Sequence, residues 1–99
     1  MRLTDRCEVT QDGTTVGGSR PCSFGHTGGG VGVEAGHIRY REEARVIIGP
    51  DAQLAAVADP GRLRVRHKDR TYNVTAILPR YRTHGRLHHV SLDVQVVTG

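Results

Sequence analysis

Residues 62–68 read Arg62-Leu63-Arg64-Val65-Arg66-His67-Lys68, and this alternation decides the fold. Successive side chains on a strand point to opposite faces. Leu63, Val65 and His67 therefore share one side, and Arg62, Arg64, Arg66 and Lys68 the other. Lys68-Asp69-Arg70 reads as a tight polar turn. The period resumes over residues 72–78, with Tyr72, Val74, Ala76 and Leu78 on one side. A basic connection over residues 79–86 follows, with Gly85 near its end. The last strand is the most regular: Val90, Leu92, Val94 and Val96 on one face, His89, Ser91, Asp93 and Gln95 on the other. Three such strands joined by short turns form an antiparallel meander that must bury one face.

Residues 1–10 open the chain as a strand with Leu3, Cys7 and Val9 on one face, interrupted by Asp5. Asp12-Gly13 signals a hairpin. Nine of the 13 glycines then fall between positions 13 and 36. The reading of residues 16–36 is a long flexible loop with Gly28-Gly29-Gly30 as its hinge or tip, ordered only when an assembly supplies contacts. Residues 37–48 form a second strand region that ends in Val46, Ile47 and Ile48, and Gly49-Pro50 breaks it. Residues 51–58 have the composition of one or two helical turns, and Asp59-Pro60-Gly61 is a turn into the meander. The expected fold is a single all-β domain over residues 1–99. It is a small antiparallel β-barrel of five to six strands with a long glycine-rich inserted loop at about residues 16–36.

Composition narrows the class. Apolar residues make up only 36% of the 99, aromatics 4%, and Trp is absent, so the core is lean. Small chains of this kind gain stability from a partner or a ring of copies. Residues 1–50 hold six Arg and six acidic residues, whereas residues 51–99 hold eight Lys or Arg against four Asp. The whole +4 excess lies in the second half, which suits phosphate, an acidic partner or a solvated face. Cys7 and Cys22 stand fifteen residues apart with no CxxC, so both are read as reduced thiols, Cys7 as a small core residue. No apolar run is long enough to span a bilayer and no signal peptide is read. A soluble chain made in the cytoplasm is expected.

No catalytic pattern stands out. His88 and His89 are neighbours on a strand, so they are expected on opposite faces, unable to share an ion. Glu42 and Glu43 are expected to diverge in the same way. The glycine cluster lacks the GxxxxGK[ST] pattern of a phosphate loop. Neither enzyme activity, cofactor nor metal is expected. The strongest chemical grouping is the basic row of Arg62, Arg64, Arg66 and Lys68. Its members stand about 7 Å apart, a spacing comparable to that of phosphates along a nucleic-acid strand. Arg80, Arg82 and Arg86 add charge on the next connection. Aromatics for stacking bases are few: Phe24, Tyr40, Tyr72 and Tyr81.

The order of these parts resembles the small head-tail connector proteins of tailed bacteriophages, in particular the head-closure or stopper type. The likeness runs through Arg6-Cys7-Glu8-Val9, the glycine-rich segment, Ala44-Arg45-Val46-Ile47-Ile48 with Pro50, Arg62-Leu63-Arg64-Val65, Arg70-Thr71-Tyr72-Asn73-Val74, and the final arm with His88-His89-Val90-Ser91-Leu92. It implies a small β-barrel in a virion, assembled in the bacterial cytoplasm as a ring of six or twelve copies. Its implied partners are the portal or adaptor, a tail-tube or tail-completion protein, and packaged double-stranded DNA held without sequence preference, with no membrane. The ring retains the genome and docks the tail. The family's inserted loop acts as gate or docking element. By position that role falls on residues 22–36, with Cys22, Ser23, Phe24, Gly25, His26, Thr27, Gly28, Gly29, Gly30, Val31, Gly32 and Val33 as its candidate gate or docking residues. The DNA channel or partner-binding role falls on Arg62, Arg64, Arg66, Lys68, Arg80, Arg82 and Arg86. The glycine content of the segment and the lack of a Trp near it depart from the family pattern. The alternatives are a cytosolic nucleic-acid-binding barrel that uses the basic row, and a tail-completion protein.

Overall fold

The computed structural model describes residues 3–34 and 36–98. Six antiparallel strands close into a ring: β1 (Asp5–Gln11), β2 (Thr14–Glu34), β3 (His37–Ile48), β4 (Leu63–His67), β5 (Arg70–Tyr81) and β6 (Leu87–Thr98). Around the barrel the order is β1-β2-β3-β6-β5-β4, and β4 pairs back onto β1. The expected all-β barrel and the β4–β5–β6 meander are both present. Leu63, Val65 and His67 point inward and Arg64 and Arg66 outward, as the alternation requires. Val90, Leu92 and Val94 are buried and Val96 is half-buried against the core. The opening residues Met1 and Arg2 of the expected first strand lie outside the described residues.

The turns follow from residues that tolerate left-handed backbone. Asp12 and Gly13 both have positive φ in the β1–β2 turn, as do Lys68 and Asp69 in the β4–β5 turn. A short helix α1 (Ala52–Ala55) starts at Asp51, whose carboxylate accepts from the Leu54 amide at 3.0 Å. Fully buried Leu54 makes α1 a plug for one end of the barrel. Arg20 holds the plug in place. Its guanidinium reaches Asp51 at 2.8 Å and also bonds the Val16 carbonyl.

Three features differ from the sequence reading. Residues 16–34 do not form an unpaired loop, and Ala35 of the expected loop lies outside the described residues. Residues 16–34 belong to β2, whose residues 22–34 pair with β3 down to Glu34 opposite His37. Glycine is unfavourable in strands by composition, yet Gly25, Gly28, Gly29, Gly30 and Gly32 lie in the paired ladder. A shift of register after Val74 swaps the faces of β5, because Val74 opposes Val94 while Ala76 opposes Asp93. Ile77, not Leu78, therefore packs against the core. The basic connection is also shorter than residues 79–86, since β5 continues through Pro79 and Arg80 to Tyr81.

The β2–β3 hairpin extends past the barrel as an arm. Tyr40 is the last β3 residue paired with β6, opposite Thr98, so the tip consists of β2 and β3 alone. The molecule measures 51 Å along its long axis against 27 and 26 Å across.

Candidate functional site

The arm has two unlike faces, set by the period of the strand. Directly opposed residues of an antiparallel pair share a face. Val31 opposes Tyr40 and Val33 opposes Ile38, so these four form one apolar ridge. They are 67, 53, 76 and 53% exposed, respectively. The ridge continues the inward-facing set Ala44, Val46 and Ile48 of β3 beyond the barrel mouth, where no opposite wall covers it. On the other face Gly30 opposes Arg41 and Gly32 opposes Arg39. Arg41 is paired with Glu43 at 3.1 Å. The alternation of Gly and Val on β2 thus gives the arm an apolar side and a second side that is bare along β2 and carries Arg39 and Arg41 along β3.

Its root is a cluster of rings and charges in the barrel mouth. Phe24 stacks flat on His67 with centroids 4.0 Å apart and lies 5.2 Å from Tyr72. Glu42 gathers His26 at 3.1 Å, Arg70, and the Tyr72 hydroxyl, which donates at 3.4 Å. Burial, and then the Glu42 charge, push the Tyr72 phenol above its ordinary value. Asp5, which interrupts the apolar pattern of β1, lies 2.8 Å from Nε2 of the buried His67. The two are close enough for an ion pair, but the ring nitrogen lacks a well-aligned hydrogen-bond acceptor. The His67 contact is the main reason that the Asp5 carboxyl sits below its usual value.

The expected gate residues divide here. Cys22 is fully buried, and Ser23 and Phe24 are half-buried, so all three belong to the barrel. Gly25, His26, Thr27, Gly28, Gly29, Gly30, Val31, Gly32 and Val33 are exposed, the first six alongside β3 residues still paired to β6 and the last three leading onto the tip. Burial raises the Cys7 thiol, and burial together with the adjacent Cys7 pushes Cys22 up to about 12. Both thiols are free and buried.

Of the expected basic row, Arg64 and Arg66 point outward from β4, Arg62 lies in a 3-10 turn (Pro60–Arg62) before it and Lys68 in the turn after it, and the arginines are engaged. Arg62 bonds Asp12, Arg66 reaches Asp69 at 3.4 Å, and Arg64 donates to the carbonyls of Gly61 and Leu63 at 2.6 and 2.9 Å. Lys68 is exposed in the turn. Arg80, Arg82 and Arg86 are exposed on the separate β5–β6 hairpin, whose Tyr81, Gly85 and Leu87 border α1. The two basic groups therefore occupy different elements.

Two further pairs behave differently from each other. Glu42 and Glu43 diverge as expected, one to the root cluster and one to Arg41. His88 and His89 do not diverge: their Nδ1 atoms approach to 2.7 Å. A bulge causes this, since Arg80 opposes His89 while Tyr81 opposes Leu87, leaving His88 as the extra residue. Burial, then His88, then Arg80 lower the His89 pKa.

The apolar ridge was the part that sequence reading missed. Its signal was the period-two run Val31, Val33 on one strand and Ile38, Tyr40 on the next, masked by intervening glycines. Comparison with protein-family models, curated proteins and solved structures finds no match for the chain.

Proposed function

We propose that the chain is a structural protein of the neck of a tailed phage. In this reading it forms a head-closure ring between the portal or adaptor and the tail, which retains packaged DNA and docks the tail. One observation carries the reading: a closed barrel extends an arm, two-stranded at its tip, whose apolar ridge stays exposed among the described residues. An exposed ridge on an isolated hairpin is costly, and open strand edges invite pairing, so such an element suits a protein that works among neighbours. The resemblance in the order of parts supplies the particular assembly. The protein acts without catalysis, and its surface chemistry serves contact.

The test is disruption of the gene in the phage that carries it. The expected phenotype is filled heads that lose DNA and tails that stay unattached, restored by the chain supplied in trans, with the chain present in purified virions. Infectious particles of normal yield that lack the chain would refute the function. A nucleic-acid-binding barrel is the second reading, favoured by the common outer face of Arg64 and Arg66 on β4, with Arg62 exposed just before it. The Asp12 and Asp69 partners weaken it, because each neutralises an arginine that phosphate would need.

A further inference from the structure

Three glycines of β2 have no cause among the described residues. Gly25, Gly30 and Gly32 do not have positive φ, and a Cβ at any of them would meet nothing within 4 Å. Gly29 is different, since a Cβ there would stand 2.7 Å from the Arg41 carbonyl oxygen. Glycine weakens a strand, and one not demanded by turn or contact marks a face that another backbone approaches closely. Gly30 and Gly32 leave the β2 half of that face bare, a hollow flanked on β3 by Arg41 and Arg39 and directly behind the ridge of Val31 and Val33.

We propose that these two faces are the two halves of a single contact between copies. The ridge of Val31, Val33, Ile38 and Tyr40 on one arm packs onto the bare face of Gly30 and Gly32 on the next copy's arm, and the contact repeats head to tail around a ring. The proposal rests on the ring part of the function proposed above and names the surface that closes the ring. Ridge and hollow lie at the same height on one thin hairpin, so arms stack without a change of register. Their charges are compatible. The ridge side chains carry no charge, and the incoming Tyr40 ring meets the side of the neighbour that bears Arg39 and Arg41, where a guanidinium favours an aromatic face.

The area favours a ring over a pair. The four ridge side chains expose on the order of 400 Å² of apolar surface, a patch size that marks a contact site. A stable pair buries roughly 800 Å² on each partner. One ridge falls short of that. In a head-to-tail ring each arm uses both faces, so every copy gains two contacts. Two ridges packed against each other would use one face only and leave the glycines without a role.

The experiment uses two variants of the full chain, with mass measured by light scattering after size exclusion. Gly30→Thr/Gly32→Thr fills the hollow with side chains that project into open space. Val33→Asp/Ile38→Asp spoils the ridge. Thermal unfolding close to wild type shows that each variant still folds. Wild type is expected as an oligomer larger than a dimer, and each variant alone as a monomer, with assembly weakened at least tenfold. Mixed, the two variants are expected to form a one-to-one dimer and nothing larger, because each keeps one working face. A hollow-filled variant that assembles like wild type would overturn the proposal. So would a mixture that stays monomeric, or a wild type that stays monomeric at every concentration. Rings that persist in both variants would remove this contact and leave the neck function standing. Virions that lack the chain would remove the function and leave the contact standing.

Discussion

Arg20 and Asp51 tie β2 to the helical plug, and the pair shows what single residues decide. Arg20 lies above Gly17, whose left-handed backbone at φ 74° favours glycine, and a Cβ there would also displace the Arg20 guanidinium. Asp51 caps α1 and receives Arg20, and both side chains are mostly shielded. Asp51→Ala removes the cap and leaves a shielded guanidinium without its anion, so we expect a loss of about 2 kcal/mol in chemical denaturation. Burial alone would raise the Asp51 carboxyl, but Arg20 and the Leu54 amide hold it below its usual value. The unfolded chain therefore binds a proton more readily than the folded one. The stability from this group is complete above the unfolded value of about 4 and is lost as pH falls through the folded value. His89 acts on a different window. Its lowered pKa removes stability as pH falls through the unfolded histidine value of about 6.5. The unfolding midpoint of Asp51→Asn, which keeps a capping oxygen, should follow wild type from pH 7 to 5 and fall less steeply below 4. Identical acid limbs would show that Asp51 is not held low. The helical turn was legible in the Ala-rich composition of residues 51–58, and the structure shows Asp51 to be its cap. The partner was not, since nothing in local pattern links Arg20 to a residue 31 positions away.

At the scale of the element, the meander was legible because its period is unbroken, and its faults lie where the period slips. Bulges after Val74 and at His88 exchange faces without a change in composition, so Ile77 replaced Leu78 in the core and the two histidines met. The arm was hidden for another reason: glycine serves two ends in one segment. Gly17, Gly18 and Gly36 have positive φ, at the bulge between Glu8 and Val9 and in the arm's turn, whereas Gly28, Gly29, Gly30 and Gly32 are ladder residues. Only structure separates them. Two outcomes check the elements. Leu92 is fully buried at the centre of β6, so Leu92→Ala should cost about 2–5 kcal/mol by denaturant titration. A loss below about 1 kcal/mol would mean that the β6 face does not carry the core. Gly29→Ala drives a Cβ against the Arg41 carbonyl and should open the arm's ladder while the barrel stays closed. Hydrogen exchange at residues 38–43 should quicken at least tenfold with little change in the β4–β6 amides. Unaltered exchange there would show that the arm accommodates the methyl without breaking pairs.

For the whole molecule, the question is where its +4 charge can act. The bore of this barrel is filled by Val9, Val46, Leu63, Val65, Val90 and Leu92, so no DNA passes through one copy. In the proposed ring a channel would exist only among copies, lined by whatever outer face the ring turns inward. Arg62 and Arg66 carry acidic partners of their own, and exposed ion pairs of this kind contribute little to stability. Replacing Arg62, Arg64 and Arg66 by Ser should therefore leave folding and assembly nearly unchanged, which thermal unfolding and light scattering would show. DNA contact should behave otherwise. Each phosphate neutralised releases counterions, so affinity falls steeply with salt, and a ring multiplies a weak contact by its copy number. If β4 faces the channel, the triple variant should bind duplex DNA more weakly at about 50 mM salt and show a shallower salt slope up to about 200 mM. The hollow-filled arm variant keeps every arginine but loses the ring, so it should lose DNA binding through valency alone. Equal binding and equal salt slopes for wild type and the triple variant would assign the β4 row to solvent and leave Arg80, Arg82 and Arg86 as the cations to replace next.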